Sequence, residues 1–170
     1  MEAAITIRST KEEDWEELKK IRLAALLDAP TAFGVSHATA MANTDLQWRD
    51  RAAGRGQALF TLAFMNDCAV GMVAHLSSSL SGCNLIAMWV APEWRGTATA
   101  TRLVESVKAH ALSQGCARVV LEVVPSNLRA VAFYRKQGFS FLPEWEVLES
   151  HPHIQIQKME WRAKTSPATA

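Results

Sequence analysis

The sequence predicts a single α/β domain, with a mixed (α+β-type) sheet flanked by helices, and three observations support this fold class. The chain has 170 residues, 49% of them hydrophobic, which suits one core. Short β-branched and aromatic runs alternate with segments of helical apolar spacing. The stretch Ile86–Ala111 joins a buried strand, a tight turn and an amphipathic helix. We assign residues 1–163 to the domain and 164–170 to a loose tail.

The apolar patterns predict seven strands and four helices. The strands are expected at 4–8, 58–65, 69–76, 85–90, 118–124, 140–142 and 154–161. The helices are a first one that ends at Asp28, then Asp45–Ala53, one between Gly96 and Gln114, and Leu128–Gln137. The connections expected to be irregular are Thr31–Asn43, Ser77–Gly82 and Pro143–Pro152.

Capping and turn residues set the bounds of the early elements. Ser9 and Glu12 have the spacing of a capping box, and Pro30 stops the first helix. Thr44 is placed to cap the second helix. Asn66-Asp67 is typical of a hairpin turn, so the strands on either side of it are expected to pair.

Charge and composition exclude several classes of partner. With 18 basic and 17 acidic residues the net charge is +1, so neither nucleic acid nor an anionic membrane is expected as a partner. The cysteines Cys68, Cys83 and Cys116 lack CxxC spacing, which favours reduced thiols and a cytoplasmic protein without a metal. The first ten residues lack a signal-peptide pattern, and no apolar run is long enough to span a bilayer.

The turn after the central strand has the features of a phosphate site. Backbone N–H groups at a helix start attract anions, Arg95 adds a positive charge, and Gly96 lets the backbone come close. The run Val90-x-Pro92-x-x-Arg95-Gly96 resembles the acetyl-CoA signature of the GCN5-related N-acetyltransferase (GNAT) family. The family pattern is Gln/Arg-x-x-Gly-x-Gly/Ala, and here Ala98 replaces its first glycine. That methyl group takes room from a pyrophosphate.

A second block lies downstream of the first. The string Asn127-x-x-Ala130-x-x-Phe133-Tyr134-x-x-x-Gly138-Phe139 resembles the family's N-x-x-A-x-x-x-Y-x-x-x-G-F pattern. The two blocks run from the late eighties to about residue 140, in the family's order. The resemblance implies a GNAT fold, with a mixed sheet splayed at strand 4, and acetyl-CoA as co-substrate.

The same resemblance assigns residues to the acetyl-CoA site. Backbone groups of the central strand would bind pantetheine, and one N–H would face the acetyl oxygen, where acyl transfer builds negative charge. Amides at the helix start would hold the pyrophosphate. The expected residues are Met88, Trp89, Val90, Arg95, Gly96, Thr97, Ala98, Thr99, Ala100, Asn127, Ala130 and Tyr134. For the strand side chains a core role is the alternative, and Asn127 is as well explained by bracing the strand.

Two catalytic residues are expected. Tyr134, the single tyrosine of the chain, matches the family's tyrosine and would protonate the CoA thiolate as it leaves, with a packing role as the alternative. Glu122 is the first candidate for the base that deprotonates the acceptor amine. The further candidates are His75, Glu149, His151 and His153.

The expected acceptor is the primary amine of a small molecule. Acidic residues around Trp145 suit a polycationic amine, with a solvated surface loop as the alternative. The expected contacts are Asp28, Phe33, Glu144, Trp145, Glu146 and Glu149. Asp45 is a further acid near the loop between the first two helices. The chain resembles small antibiotic-resistance members of the family, of the kasugamycin (aminoglycoside) type. The alternatives are an acetyltransferase for protein N-termini or lysines and a non-catalytic acyl-CoA-binding module, and we allow for a homodimer.

Overall fold

The computed structural model describes residues 4–78 and 82–164. Within these ranges it contains seven strands and five helices. The strands are β1 (Ile5–Ser9), β2 (Ala58–Met65), β3 (Cys68–Ser78), β4 (Gly82–Val90), β5 (Arg118–Val123), β6 (Ser140–Leu148) and β7 (His151–Arg162). The helices are α1 (Trp15–Asp28), α2 (His37–Met41), α3 (Asp45–Ala52), α4 (Thr99–Ser113) and α5 (Leu128–Lys136). The predicted tail after Lys164 and residues 79–81 of the predicted connection lie outside the described residues.

All seven strands form one mixed sheet in the order β1-β2-β3-β4-β5-β7-β6. Neighbouring strands are antiparallel except β4 and β5, which are parallel. That pair is joined only at Cys83↔Val119 and Asn84↔Val120. From Leu85 onward β4 pairs with β3 alone, and the sheet opens between β4 and β5. The expected mixed sheet, splayed at strand 4, is confirmed.

A bulge in β4 lies at the start of this opening. Met72 pairs with Trp89 and Ala74 pairs with Ile86, so β4 has one residue more than β3 between these pairs. The backbone of Ala87, inside the bulge, is left-handed with φ 54°. Beyond it the Ala91 N–H donates to the Val70 carbonyl at 2.9 Å. Since partners alternate along an antiparallel pair, the backbone N–H and C=O of Val90 point away from β3, towards the opening.

Two hydrophobic cores cover the two faces of the sheet. Helix α4 buries Leu103, Val104 and Val107 against one face, which α5 joins through Val131. Helices α1 and α3 bury a second set on the other face, including Leu18, Ile21 and Trp48. At Gly71 a Cβ atom would lie only 3.0 Å from Leu103 Cδ1, so this glycine lets α4 approach β3 closely. None of the helices in the described ranges is long and apolar enough to cross a membrane.

The early part of the chain differs from the sequence prediction at one helix cap and in one segment predicted to be irregular. The capping box predicted for Ser9 and Glu12 is wrong: the Lys11 N–H donates to Asp14 Oδ2 at 2.7 Å. Asp14 also accepts both Nη groups of Arg8 at 2.7 and 2.9 Å. The segment 31–43, predicted to be irregular, contains α2, whose first turn is capped by Ser36. The Thr44 cap on α3 is confirmed, since its hydroxyl accepts from the Gln47 N–H.

The prediction of an irregular segment at 143–152 is also wrong. Strand β6 continues through Pro143 to Leu148, and β7 begins at His151. Proline is tolerated because β6 is an edge strand that pairs with β7 alone, so its missing N–H costs no ladder bond. The β6–β7 register shifts between Phe141 and Trp145, around the proline.

Candidate active site

A cavity of about 570 Å³ lies where β4 and β5 diverge. Its walls come from both strands, the α1–α2 loop, α5 and the β6–β7 hairpin. It brings together eight residues that the sequence predicted for the site: Phe33, Met88, Glu122, Asn127, Ala130, Tyr134, Glu146 and Glu149. Residues predicted from five separate segments therefore meet in one cavity.

The loop before α4 is shaped for close approach of an anion. Gly96 has φ 78°, a conformation that favours glycine, and a Cβ atom there would meet nothing within 4 Å. Thr97 Oγ1 donates to the Trp94 carbonyl at 2.6 Å and accepts from the Thr99 N–H at 3.3 Å. Ala98 has helical dihedrals (φ −71°, ψ −2°), so alanine is unstrained where the family pattern has glycine. The first N–H groups of α4 have no carbonyl partner within the helix.

The Arg95 side chain connects this loop to the end of α1. Its Nη2 donates to Asp28 Oδ2 at 2.6 Å, and its Nε donates to the Val90 carbonyl at 3.0 Å. The Trp89 Nε1 donates to the same Asp28 oxygen at 2.9 Å. The hydrogen bond from Trp89 has the largest effect on the pKa of Asp28, followed by the one from Arg95, and both hold that pKa below its usual range. Asp28 was predicted to bind the acceptor. In the structure it contacts Arg95, at the loop before α4, and does not line the cavity.

Tyr134 lies on α5 at the opening between the strands. Its half-buried ring contacts Phe133 and Phe139, with centroids 5.3 and 5.8 Å away. Burial raises the pKa of the phenol above its ordinary value, so the hydroxyl is protonated at neutral pH. Asn127 caps the same helix, since its Oδ1 accepts from the Ala130 N–H at 3.2 Å. The side chain of Asn127 therefore has a structural partner in this structure.

A group of charged side chains lines the opposite side of the cavity. Glu122 on β5 is paired in register with Lys158 on β7. Lys158 Nζ lies 3.3 Å from Glu144 and 3.5 Å from Glu146. Burial, and then the neighbouring Glu146 carboxylate, raise the pKa of Glu122. A carboxyl group with a raised pKa in a cavity suits a general base that works near neutral pH.

The predicted arrangement of acids around Trp145 differs from the structure. Glu144 and Glu146 lie on one face of β6, where both contact Lys158. Trp145 is 53% exposed and, because side chains alternate along a strand, points to the other face. Neither Glu144 nor Trp145 lines the cavity.

The histidines predicted as alternative bases lie elsewhere. His75 is 5% exposed and hydrogen-bonds Ser77 at 3.0 Å. Its ring meets the His110 ring of α4 edge-on, with centroids 4.0 Å apart. Burial lowers the pKa of His75. His151 and His153 are on β7 outside the cavity lining. Among the predicted bases, Glu122 and Glu149 are the ones that line the cavity.

Three residues of the site were not predicted from the sequence. Lys158 pairs with the acids, and Ser150 Oγ donates to the Phe33 carbonyl at 2.6 Å, which ties the β6–β7 turn to the α1–α2 loop. Arg22 lines the cavity from α1. One sequence feature could have indicated a role for Arg22: it is a charged residue within the apolar stripe of a helix, between Ile21 and Ala25. Across the described residues no cluster of His, Cys, Asp and Glu could hold a metal ion.

Comparisons with solved structures agree with this fold. The chain is similar to a GNAT-family acetyltransferase from Streptococcus pneumoniae, with a TM-score of 0.78 and 18% identity over 95% of this chain and 100% of that one. It is also similar to the PaiA N-acetyltransferase from Thermoplasma acidophilum, solved with coenzyme A, with a TM-score of 0.71 and 18% identity over 94% and 99% of the two chains. At these identities the likeness establishes the fold.

A third solved structure has an acetyl donor in its site. It is described as a streptothricin acetyltransferase from Bacillus anthracis in complex with acetyl coenzyme A; its TM-score is 0.58, with 16% identity over 66% of each chain. A comparison with curated protein sequences found no match. The model of the acetyltransferase (GNAT) family matches residues 15–139, which include both sequence blocks and most of the cavity. The chain therefore belongs to the GNAT family of acetyltransferases.

Proposed function

We propose that this acetyltransferase moves an acetyl group from acetyl-CoA directly to a primary amine of a small molecule. The observation that carries the proposal is the cavity between β4 and β5, where Tyr134 and Glu122 face a strand with outward-pointing backbone groups. The cavity thus offers an acid, a base and a backbone donor in one place. These are the groups that acyl transfer to an amine requires.

The described residues fit acetyl-CoA, which supplies an activated acyl group as its thioester. We assign the pyrophosphate to the amides of Gly96–Ala100, where the loop is open and the helix start favours negative charge. We assign pantetheine to the backbone beyond the bulge, at Met88 and Val90, because β5 does not pair there. The Val90 N–H would then face the acetyl oxygen.

The residues would act in sequence on the two substrates. Glu122 takes a proton from the acceptor ammonium, which frees the nitrogen lone pair for attack on the acetyl carbon. The Val90 N–H stabilises negative charge on the carbonyl oxygen as the N–C bond forms. Tyr134 donates its proton to the sulfur as the C–S bond breaks, so free CoA leaves as a thiol. Neither block contains a cysteine, and direct transfer needs no acetyl-enzyme.

An aminoglycoside is the acceptor class that the sequence resemblance suggests. Glu146 and Glu149 support it, since both line the cavity and attract cations. The likeness to the Bacillus anthracis protein adds a solved neighbour of similar fold that is named for acetylation of streptothricin. Lys158 offsets part of the negative charge through its contact with Glu146. Acetylation would remove the charge of one ammonium group and so weaken binding of the drug to RNA phosphates.

An amine panel tests the function. Purified protein is mixed with acetyl-CoA and with aminoglycosides, amino acids, lysine peptides or N-terminal peptides, and release of the CoA thiol is followed. We expect turnover with at least one small-molecule amine. Preferential turnover of peptides would instead indicate a protein acetyltransferase. Binding of acetyl-CoA without thiol release from any amine would favour a non-catalytic acyl-CoA-binding module.

Variants of the acidic side test the acceptor site. Glu146→Gln and Glu149→Gln should raise the KM of a cationic acceptor and leave the KM of acetyl-CoA unchanged. Glu105→Gln is the matched control, since this exposed acid lies on α4 away from the cavity. An equal effect of all three substitutions would show that the acids act only through the overall charge of the protein.

A cytoplasmic setting is the last part of the proposal. Cys68, Cys83 and Cys116 are all free thiols in the structure. Free thiols persist in reducing compartments such as the cytoplasm.

A further inference from the structure

Arg22 is a cavity residue to which the proposed chemistry gives no role. It lines the cavity from α1, and its guanidinium stacks over the Phe33 ring at 5.0 Å. Its Nη1 is buried and has no hydrogen-bond partner among the described residues. No carboxylate in the described ranges lies within 4.0 Å of it. An arginine in this position is a charge-bearing donor without an acceptor.

Two side chains on α3 also have a buried donor without a hydrogen-bond partner in the described structure. Arg51 Nη1 and Trp48 Nε1 are the other buried side-chain donors without a partner in the described structure. The Arg51 guanidinium lies 5.1 Å from the Trp48 ring, and its Nη2 donates to Asn43 at 3.3 Å. Burial, and then the charge of Arg51, lower the pKa of Arg22 to about 10. Two like charges and an indole N–H thus share a region of α1 and α3.

This arrangement is unfavourable without an anion. Buried donors are almost always satisfied, and two neighbouring positive charges favour a negative partner. An oxyanion group accepts several hydrogen bonds at once and neutralises charge, and the guanidinium fork fits a carboxylate well. A binding site that costs stability when empty is a common arrangement in enzymes, because the stability returns when the ligand binds.

We propose that Arg22 binds a carboxylate, and that this carboxylate belongs to the acceptor. Arg51 and Trp48 do not line the cavity, so Arg51 would support the site through its positive charge alone. The inference rests on the proposed function and narrows it. Arg22 and Glu122 line the same cavity, so one acceptor molecule would place its amine at Glu122 and its carboxylate at Arg22. The acceptor class is then an amino acid or another amine that carries a carboxylate. Most aminoglycosides carry no carboxylate, so this acceptor class differs from the one that the sequence resemblance suggests.

Matched acceptor pairs test the site. Glycine, γ-aminobutyrate and a dipeptide are each compared with the corresponding amide, which keeps the amine and loses the negative charge. We expect the wild type to show a KM about tenfold to a hundredfold lower for the best acid than for its amide, as for hydrogen bonds to a charged group. Arg22→Gln should abolish this preference and Arg51→Gln should reduce it. Lys20→Gln is the control, since it removes an exposed charge from the same helix.

Thermal unfolding gives a readout that does not depend on catalysis. Arg22→Gln should leave the melting temperature unchanged or raise it, because an unpaired buried charge is removed. The preferred acid should raise the melting temperature of the wild type and of Lys20→Gln, and leave Arg22→Gln unaffected. This result would stand even if no amine were acetylated, so failure of the proposed function and failure of the carboxylate site can be told apart.

Three outcomes would overturn the inference. Equal KM values for acid and amide, with no stabilisation by either acid or acetate, would show that no anion binds at Arg22. Stabilisation by free acetate or phosphate, lost in Arg22→Gln but without preference between acid and amide, would keep an anion site and separate it from the acceptor. A melting temperature that falls sharply in Arg22→Gln would assign the arginine to packing against Phe33.

Discussion

Tyr134 differs from phenylalanine by one hydroxyl group, so its substitution separates chemistry from packing. Tyr134→Phe keeps the ring between Phe133 and Phe139 and removes the proton donor. We expect kcat to fall about tenfold to a thousandfold, the usual contribution of a positioned acid, with little change in the KM of acetyl-CoA. Single-turnover kinetics, with thermal unfolding as the check on folding, measure it. Unchanged chemistry would leave Tyr134 with a packing role alone.

Arg95 was predicted to contact the pyrophosphate, and in this structure its guanidinium contacts Asp28 and the Val90 carbonyl. The phosphate contact remains a prediction. Arg95→Ala should raise the KM of acetyl-CoA about tenfold or more, through loss of a charge-assisted hydrogen bond. Steady-state kinetics at varied acetyl-CoA provide the measurement.

Two companion variants show how Arg95 acts. Asp28→Asn should lower the KM of acetyl-CoA or leave it unchanged, because it frees the guanidinium for phosphate. Ala98→Gly should also leave it unchanged or lower it, since the helical dihedrals of Ala98 suit either residue. If Asp28→Asn raised the KM as much as Arg95→Ala, Arg95 would act by holding the end of β4 rather than by binding phosphate.

Glu122 gives the reaction a pH dependence of known sign. A base works when deprotonated, so kcat/KM for the acceptor should rise as pH rises through the raised pKa of Glu122. Glu146→Gln removes a neighbouring negative charge, so the pKa of Glu122 should fall and the acidic limb should move to lower pH. Rate profiles of the two enzymes, with Glu105→Gln as control, measure the shift. If the acidic limb of the pH profile stayed at the same pH in Glu146→Gln, Glu122 would be excluded as the base.

The same pKa shift has a consequence for stability. A carboxyl group whose pKa is raised on folding binds its proton more tightly in the folded state, so its contribution is present at low pH and is lost as pH rises through the folded pKa. At neutral pH Glu122 is therefore expected to be destabilising. Because Glu122 is also exposed to solvent, screening keeps this effect small. Glu122→Gln should therefore be at least as stable as the wild type at neutral pH in urea unfolding, while losing most of its activity.

At the scale of single elements, the bulge in β4 is the feature that opens the sheet. Ala87 adopts φ 54°, which β-branched residues strongly disfavour. Ala87→Val should lower the free energy of unfolding by about 1–3 kcal/mol and raise the KM of acetyl-CoA, as the backbone leaves this conformation. Urea unfolding and kinetics measure the two effects. Ala87→Gly, which suits positive φ, is the control, and a valine variant with both properties intact would contradict the argument.

The elements with strong local signals were predicted well. Strand β2 has the predicted bounds, and α1 ends at Asp28 as expected from Pro30. Helix α2 was missed and strand β6 was predicted to end too early, for different reasons. Helix α2 has only five residues, too few for a periodic pattern, and its cap at Ser36 is the one local signal. Strand β6 contains Pro143, which argues against a strand unless the edge position is known, and pairing with β7 supplies that position.

At the scale of the whole molecule, the expected cofactor residues follow from local sequence patterns, whereas the acceptor side depends on contacts between distant segments. The expected cofactor residues lie in two short blocks, each with a family pattern, so the neighbourhood of each block follows from local structure. The acceptor side combines α1, the α1–α2 loop and the β6–β7 hairpin, which meet only in the folded chain. Arg22, Ser150 and Lys158 carry no local motif. Their roles follow from partners more than ten residues away.

The tie between the α1–α2 loop and the β6–β7 turn is testable. Ser150→Ala removes the hydrogen bond to the Phe33 carbonyl, which joins residues 117 positions apart. We expect the acceptor KM to rise about twofold to tenfold, the value of one hydrogen bond, with the KM of acetyl-CoA unchanged. Ser113→Ala is a matched control, because that hydroxyl also donates to a backbone carbonyl at 2.6 Å. Equal kinetics in all three enzymes would show that the tie does not shape the acceptor site.

The position of β7 between β5 and β6 also orders events during synthesis on the ribosome. Strand β6 pairs with β7 alone, so while β7 is still inside the exit tunnel β6 has no neighbour and the acceptor wall is absent. The first sequence block is synthesised well before β6 and β7, so the nascent chain can form the loop before α4 before it can hold an amine. A premature stop codon between β6 and β7 should therefore release a chain with an exposed sheet edge and no acetyltransferase activity. Such a product is a target for quality-control proteases.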